Sequence, residues 1–166
     1  MADGGATTGS APLSRLLQPS AIRVGAFAAD WRAAVREAGD ALVASGVTED
    51  AYTDEMIATV EELGPYIVIA PGIALAHSRP SPAVRRVGMS LVTLAGAVEF
   101  GHRENDPVRL VVGLAAPDSD GHVTALATLA SFLSDETNRE SLLSARSVDE
   151  IRALVVEFES RAASRG

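Results

Sequence analysis

Apolar residues recur at two spacings along the chain, and each spacing predicts one kind of element. Helical spacing predicts four long helices, at residues 30–45, 49–63, 122–134 and 147–158. Alternating or continuous apolar residues predict four strands, at residues 21–28, 66–76, 87–94 and 108–116. Two shorter helices are expected at residues 13–17 and 137–144. Strands and helices are therefore interspersed from one end of the chain to the other.

This interspersed order predicts the fold class. It is typical of an α/β fold with a single mixed β-sheet and helices packed on both faces. The segment 108–116 is apolar on both faces apart from Arg109, which is the pattern of a central strand covered from both sides. We expect one domain at residues 13–160, preceded by a disordered tail at residues 1–12 that is rich in Gly, Ala and Thr, and followed by a short tail at residues 161–166.

Polar residues mark the ends of several predicted helices. Asp30 is expected to cap the first long helix. The segment 117–121, Pro-Asp-Ser-Asp-Gly, predicts a turn that opens the next long helix at His122. Ser147 and Glu150 have the spacing of a capping box at the start of the last helix.

The composition excludes several classes of function. The 166 residues contain no cysteine, which excludes disulfides, thiolate zinc sites and cysteine nucleophiles. The formal net charge of -8 argues against a nucleic-acid partner. All 14 basic residues are arginine, so Schiff-base chemistry and a P-loop lysine are excluded as well. Apolar residues make up 47% of the chain and aromatic ones only 4%, so the core is expected to consist of aliphatic side chains.

The chain also carries no pattern of a targeting or membrane segment. Its first ten residues have neither a charged nor an apolar region of the kind found in signal peptides. No apolar run approaches the length that spans a bilayer. The sequence therefore predicts a cytoplasmic protein without direct membrane insertion.

The segment 66–82 presents a titratable side chain where a buried strand is expected to reach the surface. His77 follows the apolar run and precedes Arg79, Pro80 and Pro82. The prolines cannot donate hydrogen bonds to a sheet, so the chain must leave the strand here. His77 is either a nucleophile at the strand exit or a structural residue at the strand end, and this segment alone favours neither. Arg79 could pair with a carboxylate or bind a phosphoryl group.

The other two histidines also have two interpretations each. His122 lies at a predicted helix start, where free backbone N–H groups and the helix dipole favour an anion, or it simply occupies the first turn. His102 lies in a charged loop, where a solvated side chain is the simplest interpretation. None of the histidines has the spacing of a metal site, and no nucleotide-binding motif is present. We therefore expect neither a metal nor a cofactor.

A family resemblance rests on several motifs taken together. The segment 71–80, Pro-Gly-Ile-Ala-Leu-Ala-His-Ser-Arg-Pro, resembles the active-site segment of enzyme IIA domains of the mannitol and fructose class. These domains belong to the bacterial phosphoenolpyruvate:sugar phosphotransferase system. Matching motifs at residues 100–108, 114–122 and 147–151 extend the resemblance to about residues 12–158. The whole string is most similar to the ascorbate-specific branch.

The resemblance implies a phosphotransferase that acts as a phosphocarrier. The residue matching His77 would take a phosphoryl group from the phosphohistidine of HPr through Nε2. It would pass that group to a cysteine of an enzyme IIB domain, which serves a membrane enzyme IIC permease for a sugar, with ascorbate as the candidate. His122 would stabilise the phosphoryl group, and Arg79 could supply positive charge. No cofactor is implied.

The same resemblance leaves one alternative and shows two departures. The alternative is a regulatory, nitrogen-type enzyme IIA whose binding to partners depends on its phosphorylation state. The first departure is Ala76, where the family usually has proline. The second is the segment 58–64, which lacks the arginine that mannitol-type members carry upstream of the active histidine. Arg79, or the pair at residues 85–86, would have to supply that charge.

Overall fold

Six α-helices and five β-strands make up most of residues 12–165, the part of the chain that this computed structural model describes. The helices are α1 (Leu13–Leu16), α2 (Trp31–Ala44), α3 (Asp50–Leu63), α4 (Ser119–Leu133), α5 (Glu136–Ser144) and α6 (Val148–Arg165). The strands are β1 (Ile22–Ala26), β2 (Val68–Ala70), β3 (Ile73–His77), β4 (Gly88–Val98) and β5 (Val108–Ala115). Of the expected tails, residues 1–11 lie outside the described residues, whereas residues 161–165 continue α6.

The five strands form one mixed sheet in the order β1-β4-β5-β3-β2. β5 lies at its centre, antiparallel to β4 and parallel to β3. The predictions of an α/β fold and of a central strand at residues 108–116 are both confirmed. Because β3 and β5 run in the same direction, their carboxyl ends lie at one edge of the sheet, with His77 opposite Leu114 in the register. In α/β sheets this edge is where functional sites commonly form.

Helices cover both faces of the sheet, and alternate strand residues contribute to two separate cores. One face packs against α2 and α3, and the other packs against α1, α4, α5 and α6. Within β3, Ala74 and Ala76 belong to the first core, while Ile73 and Leu75 belong to the second. The period of two along a strand then places His77 on the same face as Leu75, which is the face that α4 covers.

The apolar run at residues 66–76 is two strands rather than one. Pro71 and Gly72 turn the chain between β2 and β3, which pair antiparallel. Gly72 has a φ of 77°, a backbone conformation that glycine adopts without strain. Its N–H donates to the carbonyl of Asn105 (2.9 Å), and its own carbonyl accepts from the N–H of Arg109 (2.8 Å). This turn therefore fixes the start of β3 beside the start of β5.

The start of α4 differs from the prediction. The helix begins at Ser119, three residues before the predicted start at His122. The carboxylate of Asp118 accepts a hydrogen bond from the N–H of Gly121 (2.7 Å) and caps the helix. Asp and Ser favour turns and helix caps alike, and in this segment Asp118 forms the cap of α4. His122 therefore lies at the end of the first helical turn instead of at the first position.

Candidate active site

His77 is the last residue of β3, and its ring orientation is fixed by its own strand. The Nδ1 atom lies 2.9 Å from the carbonyl oxygen of Leu75. A carbonyl can only accept a hydrogen bond, so Nδ1 carries a proton. In the neutral ring the lone pair is then on Nε2. The half-buried ring thus leaves one defined nitrogen with a free lone pair.

His122 lies next to His77, as the parallel arrangement of β3 and β5 allows. The centroids of the two imidazole rings are 5.7 Å apart, and their planes make an angle of 50°. β5 ends opposite His77, and the chain passes from there into α4 with only three intervening residues. The two predicted site histidines, which are 45 positions apart in the sequence, are therefore brought together at the edge of the sheet.

The surroundings of His122 disfavour its charged form. Burial lowers the pKa of His122 below the ordinary histidine value of 6.5, and the positive charge that His77 can carry lowers it further. The His122 ring is therefore mainly neutral near pH 7. A negative charge placed between the two rings would act in the opposite direction and favour protonation of His122.

The three arginines that could supply charge to His77 have different environments. Arg85 pairs with Glu49 at 3.5 Å, and Arg86 donates to the carbonyl of Ser45 at 2.6 Å. The side chain of Arg79, by contrast, is exposed and forms no ion pair or hydrogen bond with another described residue. Arg79 is therefore the one of the three whose guanidinium is not already engaged.

A cleft of about 260 Å³ opens beside His77, on the side of α3. His77 forms one wall, and the remaining lining comes from the C-terminal part of α3 and the segment that follows it: Thr59, Leu63, Gly64, Tyr66 and Ile67. Large apolar side chains are exposed in this region, with 55% of Leu63, 65% of Tyr66 and 49% of Ile69 accessible. An exposed apolar surface next to a reactive group is typical of a protein-binding site.

The resemblance seen in the sequence has two departures, the segment 58–64 and Ala76. The hydroxyl of Thr59, in that segment, forms a hydrogen bond with the hydroxyl of Ser78 (3.0 Å). The nearby Glu61 pairs with Arg32. Ala76 is fully buried in β3 opposite Gly113, in regular strand geometry. No cation from α3 therefore lines the cleft, and β3 remains regular up to His77.

The sequence analysis missed Tyr52, a residue of α3. Its apolar ring fits the helical stripe, so the sequence pattern indicates a core residue and no more. In the structure its hydroxyl reaches the main chain at Ser78, directly after His77, and at Leu114. These partners lie 26 and 62 positions away in the sequence. No local signal could have identified this contact.

His102 has a role in its own loop. Its Nδ1 atom accepts hydrogen bonds from the backbone N–H groups of Glu104 (3.2 Å) and Asn105 (3.0 Å). The carboxylate of Asp106 accepts from three further backbone N–H groups of the loop, at residues 100–102. The half-buried His102 ring thus stabilises the loop conformation, which differs from the solvated side chain expected from the sequence.

Within residues 12–165, no three His, Asp or Glu side chains are grouped so that they could hold a metal ion. In the same residues, no helix combines the length and the apolar character needed to cross a bilayer.

The chain is similar to known proteins over most of its length. Residues 15–157 match the family model described as phosphoenolpyruvate-dependent sugar phosphotransferase system, EIIA 2. The ascorbate-specific EIIA component of Escherichia coli K12 is 38% identical over 141 residues, which cover 84% of this chain and 92% of that protein.

Two solved structures are similar along most of the chain. The mannitol-specific cryptic enzyme IIA CmtB of E. coli is 31% identical with a TM-score of 0.80, over 89% of this chain and 99% of CmtB. The mannitol enzyme IIA of E. coli, solved in complex with phosphorylated enzyme IIB, is 31% identical with a TM-score of 0.75, over 86% of this chain and 99% of that one. The chain therefore belongs to the EIIA 2 family of the phosphoenolpyruvate-dependent sugar phosphotransferase system and is a phosphotransferase with a phosphocarrier role in that system.

Proposed function

We propose that this protein carries its phosphoryl group on Nε2 of His77. The observation that carries the proposal is the hydrogen bond from Nδ1 to the Leu75 carbonyl, which leaves Nε2 as the nitrogen with a free lone pair. The position at the edge of the sheet supports it, because His77 is half-buried there and borders an open cleft. A second histidine lies beside it.

The transfer needs little covalent machinery. The Nε2 lone pair of His77 attacks the phosphorus of a phosphohistidine on HPr and forms a new N–P bond. The N–P bond of the donor breaks, and its electron pair returns to the donor imidazole. The positive charge that develops on the His77 ring is stabilised at Nδ1–H by the Leu75 carbonyl. Phosphoryl transfer of this kind depends mainly on positioning and electrostatics.

Two further side chains act on the phosphoryl group in this proposal. His122 donates a hydrogen bond to it, because the new negative charge favours the protonated ring. Arg79 supplies a permanent positive charge, since its guanidinium is exposed and not engaged with another described residue. The two groups would neutralise charge on the transferred phosphoryl oxygens.

The acceptor is a cysteine thiolate of an enzyme IIB domain. The thiolate sulfur attacks phosphorus, and the electron pair of the N–P bond returns to Nε2 of His77. The mannitol enzyme IIA that this chain resembles was solved together with phosphorylated enzyme IIB, which supports this partner. A cytoplasmic chain from HPr through this protein and enzyme IIB to an enzyme IIC permease would then drive sugar uptake. The identity to ascorbate-specific components makes ascorbate the substrate that we propose for the permease.

In the experiment, the protein is phosphorylated with phosphoenolpyruvate, enzyme I and HPr. The amount of acid-labile phosphate on the protein is then measured. We expect His77→Ala to accept none. The matched control is His102→Gln, which removes a histidine whose ring only bonds to its own loop. We expect this variant to accept phosphate like the unchanged protein. Full acceptance by His77→Ala would contradict the proposal.

A further inference from the structure

The hydroxyl of Tyr52 contacts the main chain of two segments at once. The N–H of Ser78 donates to the phenol oxygen at 2.9 Å. The same oxygen lies 3.0 Å from the carbonyl of Leu114 and 3.1 Å from the carbonyl of Ser78, and it donates its single proton to these acceptors. Only 1% of Tyr52 is exposed, so water does not compete for these bonds. One side chain of α3 therefore joins the ends of β3 and β5.

These two segments lead directly to the two histidines of the site. Ser78 is the residue after His77. Leu114 is opposite His77 in the sheet register and is followed by the short connection to α4, which carries His122. The phenol lies on the sheet face that packs against α2 and α3, opposite the face covered by α4. Its hydrogen bonds reach main-chain atoms and not the imidazole rings, so it influences the rings through the main chain.

The protonation of Tyr52 suits a permanent structural bond. Desolvation by burial raises the pKa of Tyr52 to about 12, although the hydrogen bond from the backbone of Ser78 acts in the opposite direction. The phenol consequently keeps its proton at any physiological pH and remains both a donor and an acceptor. Its three contacts therefore do not depend on loss of the phenol proton.

We propose that Tyr52 is a positioning residue, which sets the separation and orientation of His77 and His122 by joining the residue after His77 to the end of the strand that leads into α4. This inference rests on the proposed function, since the separation matters for a phosphoryl group held between the two rings. Without the hydroxyl, the bonds from this α3 side chain to the ends of β3 and β5 are lost. The ring of His77 then loses its fixed place relative to α4, even if the protein remains folded.

The test is Tyr52→Phe, which removes only the hydroxyl and keeps the ring in the core. The matched control is Ser90→Ala, which removes another buried hydroxyl that donates to a main-chain carbonyl, that of Ala38 (2.7 Å). The Ser90 bond joins β4 to α2 and involves no atom of His77, Ser78 or Leu114. Thermal unfolding of both variants reports the loss of stability that any buried hydrogen bond causes.

The kinetic measurement is the rate of phosphoryl transfer from phospho-HPr at increasing donor concentration. We expect Tyr52→Phe to lower the maximal rate by about 10- to 100-fold, because small displacements of reacting groups have effects of this size. The donor concentration at half-maximal rate should stay unchanged, since the surface that contacts HPr is intact. Ser90→Ala should keep the maximal rate. Equal maximal rates in the two variants would overturn the proposal.

A second measurement does not depend on phosphoryl transfer. NMR of the unphosphorylated protein, labelled with 15N in histidine, reports the ring signals of His77 and His122 and the proton contacts between the rings. We expect Tyr52→Phe to shift the His77 nitrogen signals and weaken the contact between the rings, and Ser90→Ala to leave both as they are. Unchanged ring signals in Tyr52→Phe overturn the positioning role. The NMR result is independent of phosphoryl transfer. If the unchanged protein accepts no phosphate, the proposed function is overturned, but the NMR test of the positioning role still holds.

Discussion

The imidazole of His77 donates a hydrogen bond from Nδ1 to the carbonyl oxygen of Leu75, two residues earlier on the same strand, at 2.9 Å. This carbonyl belongs to a buried residue of β3, so the strand itself determines which ring nitrogen stays free. The fold thus leaves Nε2, the proposed nucleophile, with a free lone pair before any partner arrives.

Replacing His122 is expected to slow phosphoryl transfer without unfolding the protein. His122→Gln removes a group that can become a cation next to the phosphoryl oxygens but keeps a neutral hydrogen-bond donor. Removing one preorganised donor from a reaction site typically lowers the rate by about 100-fold or more, and the amide that remains should reduce this loss to about 10- to 100-fold. Rapid-quench kinetics with phospho-HPr measure the change. Loss of the folded state on this substitution would instead assign His122 a structural role.

The pKa of His122 should respond to a change at His77. His77→Gln removes the like charge that contributes to the lowered pKa of His122, so that pKa should rise. It should still remain below 6.5, because burial is the larger of the two causes and is unchanged. Titration of the His122 ring protons by NMR measures both values. A pKa that does not move would show that the two rings are not electrostatically coupled.

The lowered pKa of His122 also has a consequence for stability. A histidine whose pKa is lower in the folded state binds fewer protons when folded than when unfolded. The free energy of unfolding is therefore expected to fall as the pH decreases through the ordinary histidine range near 6.5. His122→Gln should show a smaller decrease over the same range in urea titrations.

The cap of α4 is expected to contribute to stability and to the placement of His122. Asp118→Ala removes the hydrogen bond to the N–H of Gly121, and loss of such a cap lowers the free energy of unfolding by about 0.5–2 kcal/mol. Asp30→Ala, which removes the cap of α2, is the control. We expect similar losses in denaturant titrations but slower phosphoryl transfer only in Asp118→Ala. Equal transfer rates in both variants would argue against a role of the cap in placing His122.

Arg79 is expected to supply charge to the transferred phosphoryl group. Arg79→Ala should lower the transfer rate by about tenfold, since a charge-assisted contact of this kind contributes on the order of 1.5 kcal/mol. Arg109 is a matched control because it is also exposed but lies near the start of β5, at the opposite end of the sheet. Arg109→Ala should transfer at the unchanged rate. If both substitutions lowered the transfer rate equally, the effect of Arg79 would be a general effect of net charge.

Much of the fold could be predicted from the sequence because its signals are local. The apolar spacing indicated the helices and strands, and the doubly apolar segment 108–116 indicated the central strand. The prolines after His77 indicated the end of β3. The predicted start of α4 was wrong by three residues, because Asp and Ser favour both turns and helix caps.

The remaining parts of the site depend on contacts between distant segments. The partners of the Tyr52 hydroxyl, and the ion pair that engages Arg85 with Glu49, join residues that are far apart in the sequence. Apolar periodicity describes which face of an element is buried, but it contains no information about which main-chain groups meet a particular side chain. These contacts become visible only in three dimensions.

The most direct test of the account is to identify the atom that holds the phosphoryl group. The protein, labelled with 15N in histidine, is phosphorylated with phosphoenolpyruvate, enzyme I and HPr, and the coupling between phosphorus and nitrogen is measured by NMR. We expect a coupling to Nε2 of His77, with Nδ1 still carrying its proton. Phosphorus on Nδ1 of that ring, on His122 or on His102 would contradict it.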